Sequence, residues 1–177
     1  MEQYIKEVDK LENTTWFFEC MCINKKYDRY NIIAELCENI GIIYKPIDNI
    51  KSLEYLLKSY NYYVKVYDYN KFDKNKLKPL ILLIAEQLEL VNYNRSIEFY
   101  LFAIEIYAEK GDIKNVIKYY EKVYKLYFDN NELELSKQIL EKIILIIGNN
   151  QQFEENLIKA NENLTKITFE TVINVIN

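Results

Sequence analysis

The segment Ser96-Ile97-Glu98-Phe99-Tyr100-Leu101-Phe102-Ala103-Ile104-Glu105-Ile106-Tyr107-Ala108-Glu109-Lys110-Gly111-Asp112 decides the fold class. Ile97, Tyr100, Ile104 and Tyr107 recur at three- and four-residue spacing, which covers one face of an α-helix. Gly111 then stops the helix, as a glycine at a C-terminal cap does. The pattern repeats. A shift of 20 places Ile97, Tyr100, Ala103 and Tyr107 on Ile117, Tyr120, Val123 and Tyr127, and a further 20 reaches Lys137, Leu140, Ile143 and Ile147. A shift of 44 aligns Ser52-Leu53-Glu54-Tyr55 with Ser96-Ile97-Glu98-Phe99, and then Leu56, Ser59 and Tyr63 with Tyr100, Ala103 and Tyr107. A helix plus link near 20 residues and a hairpin near 40 mark stacked helix pairs. One hairpin cannot bury both apolar faces, so neighbouring hairpins share a core. The small residues Ala103 and Ser59 fall where adjacent helices approach. A compact bundle of evenly sized helices gives the same offsets and stays the alternative architecture.

Helical periodicity extends on both sides of this segment. Before it, apolar patterns predict a helical stretch over 2–24 with a break near Asn13-Thr14, then helices over about 28–44, 49–68 and 74–91. Lys45-Pro46-Ile47-Asp48 separates the second from the third, because proline disfavours a helical residue before it. Pro79 lies in the first turns of the fourth, whose start can slip to Lys78. After it come helices over about 112–128 and 132–147, then one or two weaker ones near 151–161 and 165–175. No stretch is simple enough to be a linker. The expected organisation is a single helical-repeat domain over residues 1–177.

Composition agrees. Only 3 Gly and 2 Pro occur in 177 residues, too few for the turns of a sandwich or barrel. Tyrosine is abundant at 17, and a buried ring wants its hydroxyl at an edge. The net charge of -4 excludes nucleic-acid binding by bulk charge. No apolar run reaches the roughly 18 residues of a membrane span, and MEQYIKEVDK is not a signal peptide, so a cytoplasmic setting is expected. Cys20, Cys22 and Cys37 read as reduced, buried thiols.

Catalytic chemistry has little to stand on. Histidine is absent, and Gly41, Gly111 and Gly148 are scattered, so neither the commonest general base nor a phosphate-cradling loop is present. No enzyme activity, cofactor or metal is expected. The notable polar feature is a lysine row: Lys110, Lys114, Lys118 and Lys122, with Lys125 nearby, forms one basic stripe on the sixth helix. The plain reading is a solvated face partly paired with Glu109 and Glu121; the functional one is a docking face for an acidic protein partner. A second cluster, Lys71, Lys74, Lys76 and Lys78, sits at a helix start, where the helix dipole disfavours cations.

The segment Ser96 to Asp112 resembles the repeat helices of the soluble NSF attachment proteins (SNAP family), and more loosely tetratricopeptide repeats. Leu83-Ile84-Ala85-Glu86-Gln87-Leu88 followed by Tyr93-Asn94-Arg95-Ser96-Ile97 is similar to that family's "IAEIYE…EKAI" passage. Asp48 to Asn70 and Val116 to Glu134 follow its order of helices and acidic loops, so the likeness covers about residues 14–147. It implies a right-handed helical repeat acting as a cytoplasmic adaptor in vesicle trafficking and membrane fusion. Such an adaptor grips acidic SNARE bundles with basic residues on a curved face. That would give Lys114, Lys118, Lys122, Lys125, Lys71 and Lys74 a partner-binding role. The family's chains are longer, with a C-terminal bundle and a leucine-containing tail that stimulates the NSF ATPase. This chain ends Thr171-Val172-Ile173-Asn174-Val175-Ile176-Asn177 and shows neither, so the resemblance implies SNARE binding, with a shortened mimic as one form of it, and leaves ATPase stimulation open. Trp16-Phe17-Phe18 is similar to the family's membrane-touching loop, which implies peripheral membrane association; read from the residues alone it is first-helix packing.

Overall fold

The computed structural model describes residues 1–18, 23–67, 77–148 and 150–176. Among them run eight α-helices: α1 (Glu2–Phe18), α2 (Ile23–Tyr44), α3 (Asn49–Tyr67), α4 (Lys78–Leu88), α5 (Tyr93–Glu109), α6 (Ile113–Asp129), α7 (Leu133–Ile147) and α8 (Glu154–Ile176). The chain divides into two compact units, Met1–Val91 with α1 to α4 and Asn92–Asn177 with α5 to α8. In each unit consecutive helices run antiparallel and pack on one another. The protein is all-α, with the sequential packing shared by helical repeats and stacked bundles.

The 20-residue period of the second unit comes from its links. The backbone N–H of Asp112 donates to the carbonyl of Tyr107 at 3.0 Å, and that of Glu132 to Tyr127 at 2.9 Å. Gly111 and Asn131 between them adopt positive φ, 69° and 61°. Both links are therefore left-handed C-caps of the same type, closed by a six-to-one bond back to a tyrosine carbonyl. Glycine adopts this backbone at no steric cost, and asparagine is the side chain that tolerates it best. Asp112 then caps α6, its Oδ1 accepting from Asn115 N at 3.2 Å. Asn92 does the same for α5 through Arg95 N at 3.1 Å, and Asp48 for α3 through Lys51 N at 3.0 Å.

The 44-residue offset has a structural counterpart too. Ser52, Ser96 and Ser136 are each the fourth residue of their helix, and each is fully buried. They mark α3, α5 and α7, every second helix. Polar links also skip one helix at a time. Glu12 of α1 accepts from Lys58 Nζ at 2.9 Å and Tyr62 Oη at 2.6 Å on α3. Tyr93, opening α5, donates to Glu132 at the start of α7. Glu121 of α6 meets Lys159 at 3.4 Å and Asn156 at 3.2 Å on α8.

The apolar faces bury as the periodicity requires. Ile97, Tyr100, Ala103 and Ile104 of α5, Val116, Ile117 and Val123 of α6, and Leu140, Ile143 and Ile147 of α7 are all within the core. Each large aliphatic side chain so buried contributes about 1.5–3 kcal/mol. Lys137, in register with Ile97 and Ile117, stays half-buried; its neighbour Ser136 takes the inward position. In the first unit Gly41 of α2 lies against Leu56 of α3, where a Cβ would be only 2.7 Å away. Ser52 Oγ donates to the Gly41 carbonyl at 2.6 Å and accepts from Gln87 Nε2 at 2.8 Å, tying α2, α3 and α4 together.

One expectation changes and two open readings close. α1 runs through Asn13-Thr14 without a break. Leu11 packs on the core and Glu12 binds α3, so tertiary contacts hold the turn that a local cap would end. α4 starts at Lys78, with Pro79 in its first turn, where a missing N–H costs nothing. Of the one or two helices expected at the C-terminal end, the structure has one, α8. Ala160 and Ile167 bury seven residues apart on one face, and Thr165 and Thr168 bond back to the carbonyls of Asn161 and Leu164 at 2.9 and 2.8 Å.

Candidate functional site

The site is built on α6, which sets its lysines by helix geometry alone. Val116, Ile117, Val123 and Tyr124 face the core. Lys114, Lys118, Lys122 and Lys125 fall within an arc of about 80° on the far side of the helix, at 100° per residue, and all four are exposed. Lys114, Lys118 and Lys125 carry no ion pair among the described residues. The Lys118 ammonium lies 5.1 Å from the Tyr119 ring centroid, a contact that leaves its charge in place.

Two parts of the expected stripe differ. Lys110 is not on α6; it caps α5, and the reversal at Gly111 separates it from the row. Glu121 does not neutralise the stripe but turns to Lys159 and Asn156 of α8. Of the second cluster, Lys71, Lys74 and Lys76 lie outside the described residues, and Lys78 is half-buried at the start of α4. Trp16, Phe17 and Phe18 belong to the last turn of α1, and their side chains lie outside what is described.

Sequence reasoning missed a cleft beside this face. α6 and α8 stand on either side of α7 and leave an opening of about 350 Å³. Leu140 and Ile143 of α7 form its floor; Tyr124 and Phe128 of α6 and Ala160 of α8 form its walls. Lys125, Asp129 and Glu121 edge it on one side, Lys159 and Asn163 on the other. The Lys166 ammonium lies 5.1 Å from the Phe128 ring centroid. The only hint in the sequence is the seven-residue spacing of Lys159 and Lys166, which puts both on one side of a helix not recognised as continuous.

Nucleophilic chemistry finds no support in the thiols. Burial pushes the Cys37 thiol up from 9.0 to about 12, more than the nearby Lys58 ammonium offsets, so it stays protonated and inert at neutral pH. Cys20 and Cys22 lie outside the described residues. Among the described residues no group of three or more Cys, Asp or Glu is arranged to hold a metal ion, and no helix is long and apolar enough to cross a membrane. What the geometry offers is a row of ammonium groups and an adjoining apolar cleft. No protein-family model and no curated protein matches the chain.

Proposed function

We propose that this protein is a non-catalytic helical adaptor. It binds an acidic helical assembly, of the SNARE coiled-coil type that the SNAP resemblance implies, against the lysine face of α6. The observation that carries this reading is the exposure of Lys114, Lys118 and Lys125 with no ion pair among the described residues, on a chain whose net charge is -4. A lysine every four residues rises about 6 Å per step, close to the spacing of acidic side chains once per turn of a facing helix. Contacts of this kind set encounter rate and register more than affinity, and salt screens them within about 8–10 Å. The adaptor would act in the cytoplasm, in vesicle trafficking, without a cofactor.

The test is titration of the purified protein against an assembled four-helix SNARE bundle at low and at physiological salt. Saturable binding that weakens with salt is the expected result. Absence of binding at both salts would remove the SNARE reading and leave a tetratricopeptide-like scaffold for an unrelated partner.

A further inference from the structure

The cleft between α6 and α8 opens to the surface and holds about 350 Å³, within the range of ligand sites. Its floor and walls are apolar: Leu140 and Ile143 are 1% exposed, Ala160 4% and Tyr124 8%. Whatever enters must therefore be apolar where it touches α7. At the rim the opposite holds. Lys159 is tethered by Glu121, Asp129 is exposed at the far end, and Lys125 is exposed with no ion pair among the described residues. Lys125 is also the last member of the α6 lysine row, so cleft and row are continuous.

That continuity defines the occupant. From Lys114 to Lys125 the row runs about 16 Å along α6 at 1.5 Å per residue. A small molecule filling the cleft cannot also reach Lys114. An amphipathic helix of about three turns can. Its apolar side chains one turn apart enter the cleft while carboxylates on the flanking face meet Lys125, Lys118 and Lys114.

We propose that the α6–α7–α8 cleft is an anchor pocket for the apolar side chains of an acidic amphipathic partner helix, with Lys125 joining pocket and basic row. This rests on the adaptor reading above and adds what that reading lacks, an apolar determinant of partner choice. The apolar anchor supplies the affinity that surface charge alone does not.

The probe is a synthetic amphipathic peptide with two leucines four residues apart and glutamates on the flanking positions. It is compared with a twin of identical charge in which both leucines are alanine. Binding is read by fluorescence anisotropy, and contact by methyl NMR shifts of Leu140 and Ile143. The leucine peptide is expected to bind at least about ten-fold more tightly than its twin, as for loss of a buried anchor, and to move both methyl signals. Ala160→Phe, which fills the cleft, and Phe128→Ala, which removes a half-exposed wall, are both expected to abolish the leucine preference. Both should keep the weak, salt-sensitive binding of the twin, and circular dichroism confirms that each is folded. Equal affinity for the two peptides would overturn the pocket while leaving the lysine face intact. A leucine preference that survives both variants, or no binding of the leucine peptide at all, would overturn it as well.

Discussion

The two units share a hairpin logic but use their charges differently. In the first, lysines find carboxylates within the unit: Lys58 with Glu12 at 2.9 Å, Lys45 with Glu86 at 3.6 Å, and Lys51 with Asp48 at 3.8 Å. Its helices are also cross-linked through the interior by Gly41, Ser52 and Gln87. In the second, the cross-links sit at helix starts and at one acidic residue of α6, and Lys114, Lys118 and Lys125 of that helix carry no ion pair among the described residues. A closed polar network favours rigidity, and an unneutralised face favours a partner. Under the proposed adaptor function, the second unit would carry the binding face and the first would serve as its scaffold.

The largest expected stability effects lie in the first unit. Gly41→Ala forces a methyl against Leu56 and is expected to cost about 1–3 kcal/mol. Ser52→Ala strands the Gln87 amide and is expected to cost about 1–3 kcal/mol. The equivalent Ser136 bonds only the Glu132 carbonyl, at 3.1 Å, which its own backbone N–H already satisfies at 3.0 Å. Ser136→Ala is therefore expected to stay within about 0.5 kcal/mol of wild type. Urea midpoints followed by circular dichroism check all three, and equal losses at Ser52 and Ser136 would remove the contrast between the units.

Alkaline pH should separate the units next. Burial, ahead of all other causes, raises Cys37 from 9.0 to about 12 and raises Tyr62 and Tyr63 above their ordinary 10.0. A group whose folded-state value is raised contributes stability that is complete below its unfolded value and is lost as pH rises through the folded one. The first unit should thus be stable to pH 9, weaken from there as Cys37 is pulled toward ionisation, and weaken faster above pH 10. In the second unit Tyr107, Tyr120 and Tyr127 are raised chiefly by burial too, but no described thiol opens the window early. Labelling of Cys37 by a thiol reagent, in a protein with Cys20 and Cys22 replaced by serine, reports the opening. Protection of Cys37 unchanged from pH 8 to 11 would contradict this.

The last expected effect is a gain. Ser59 Oγ is buried without a hydrogen-bond partner among the described residues, and its counterpart in the second unit is Ala103. Ser59→Ala is expected to raise stability by about 1 kcal/mol, read as a higher urea midpoint.

How much of this was legible in the sequence follows from the same contrast. The second unit could be read because α5 and α6 are 17 residues each and their links are identical turns, so side chains return to register every 20 residues. The lysine face was visible for the same reason. The break expected at Asn13-Thr14 failed because Glu12 and Leu11 are held by residues far away in sequence, which no local pattern contains. The cleft was invisible on other grounds. Its walls come from three helices, and Tyr124, Leu140 and Ala160 are each ordinary core residues when read one helix at a time. Counting in fours carried the row back to Lys110 across the helix stop that Gly111 already marks in the sequence, and the positive φ there bears out the stop.

The decisive measurement is the salt dependence of binding to the assembled SNARE bundle by three proteins. These are the wild type, the charge reversal Lys114→Glu with Lys118→Glu and Lys122→Glu, and a first-unit control, Lys45→Glu. The adaptor reading predicts that the triple reversal, still folded by circular dichroism, loses at least about ten-fold in affinity and its salt sensitivity, while the control binds as wild type does. Equal, salt-dependent binding by all three would show that the α6 lysines are plain solvated surface, and would contradict the assignment of function to the second unit.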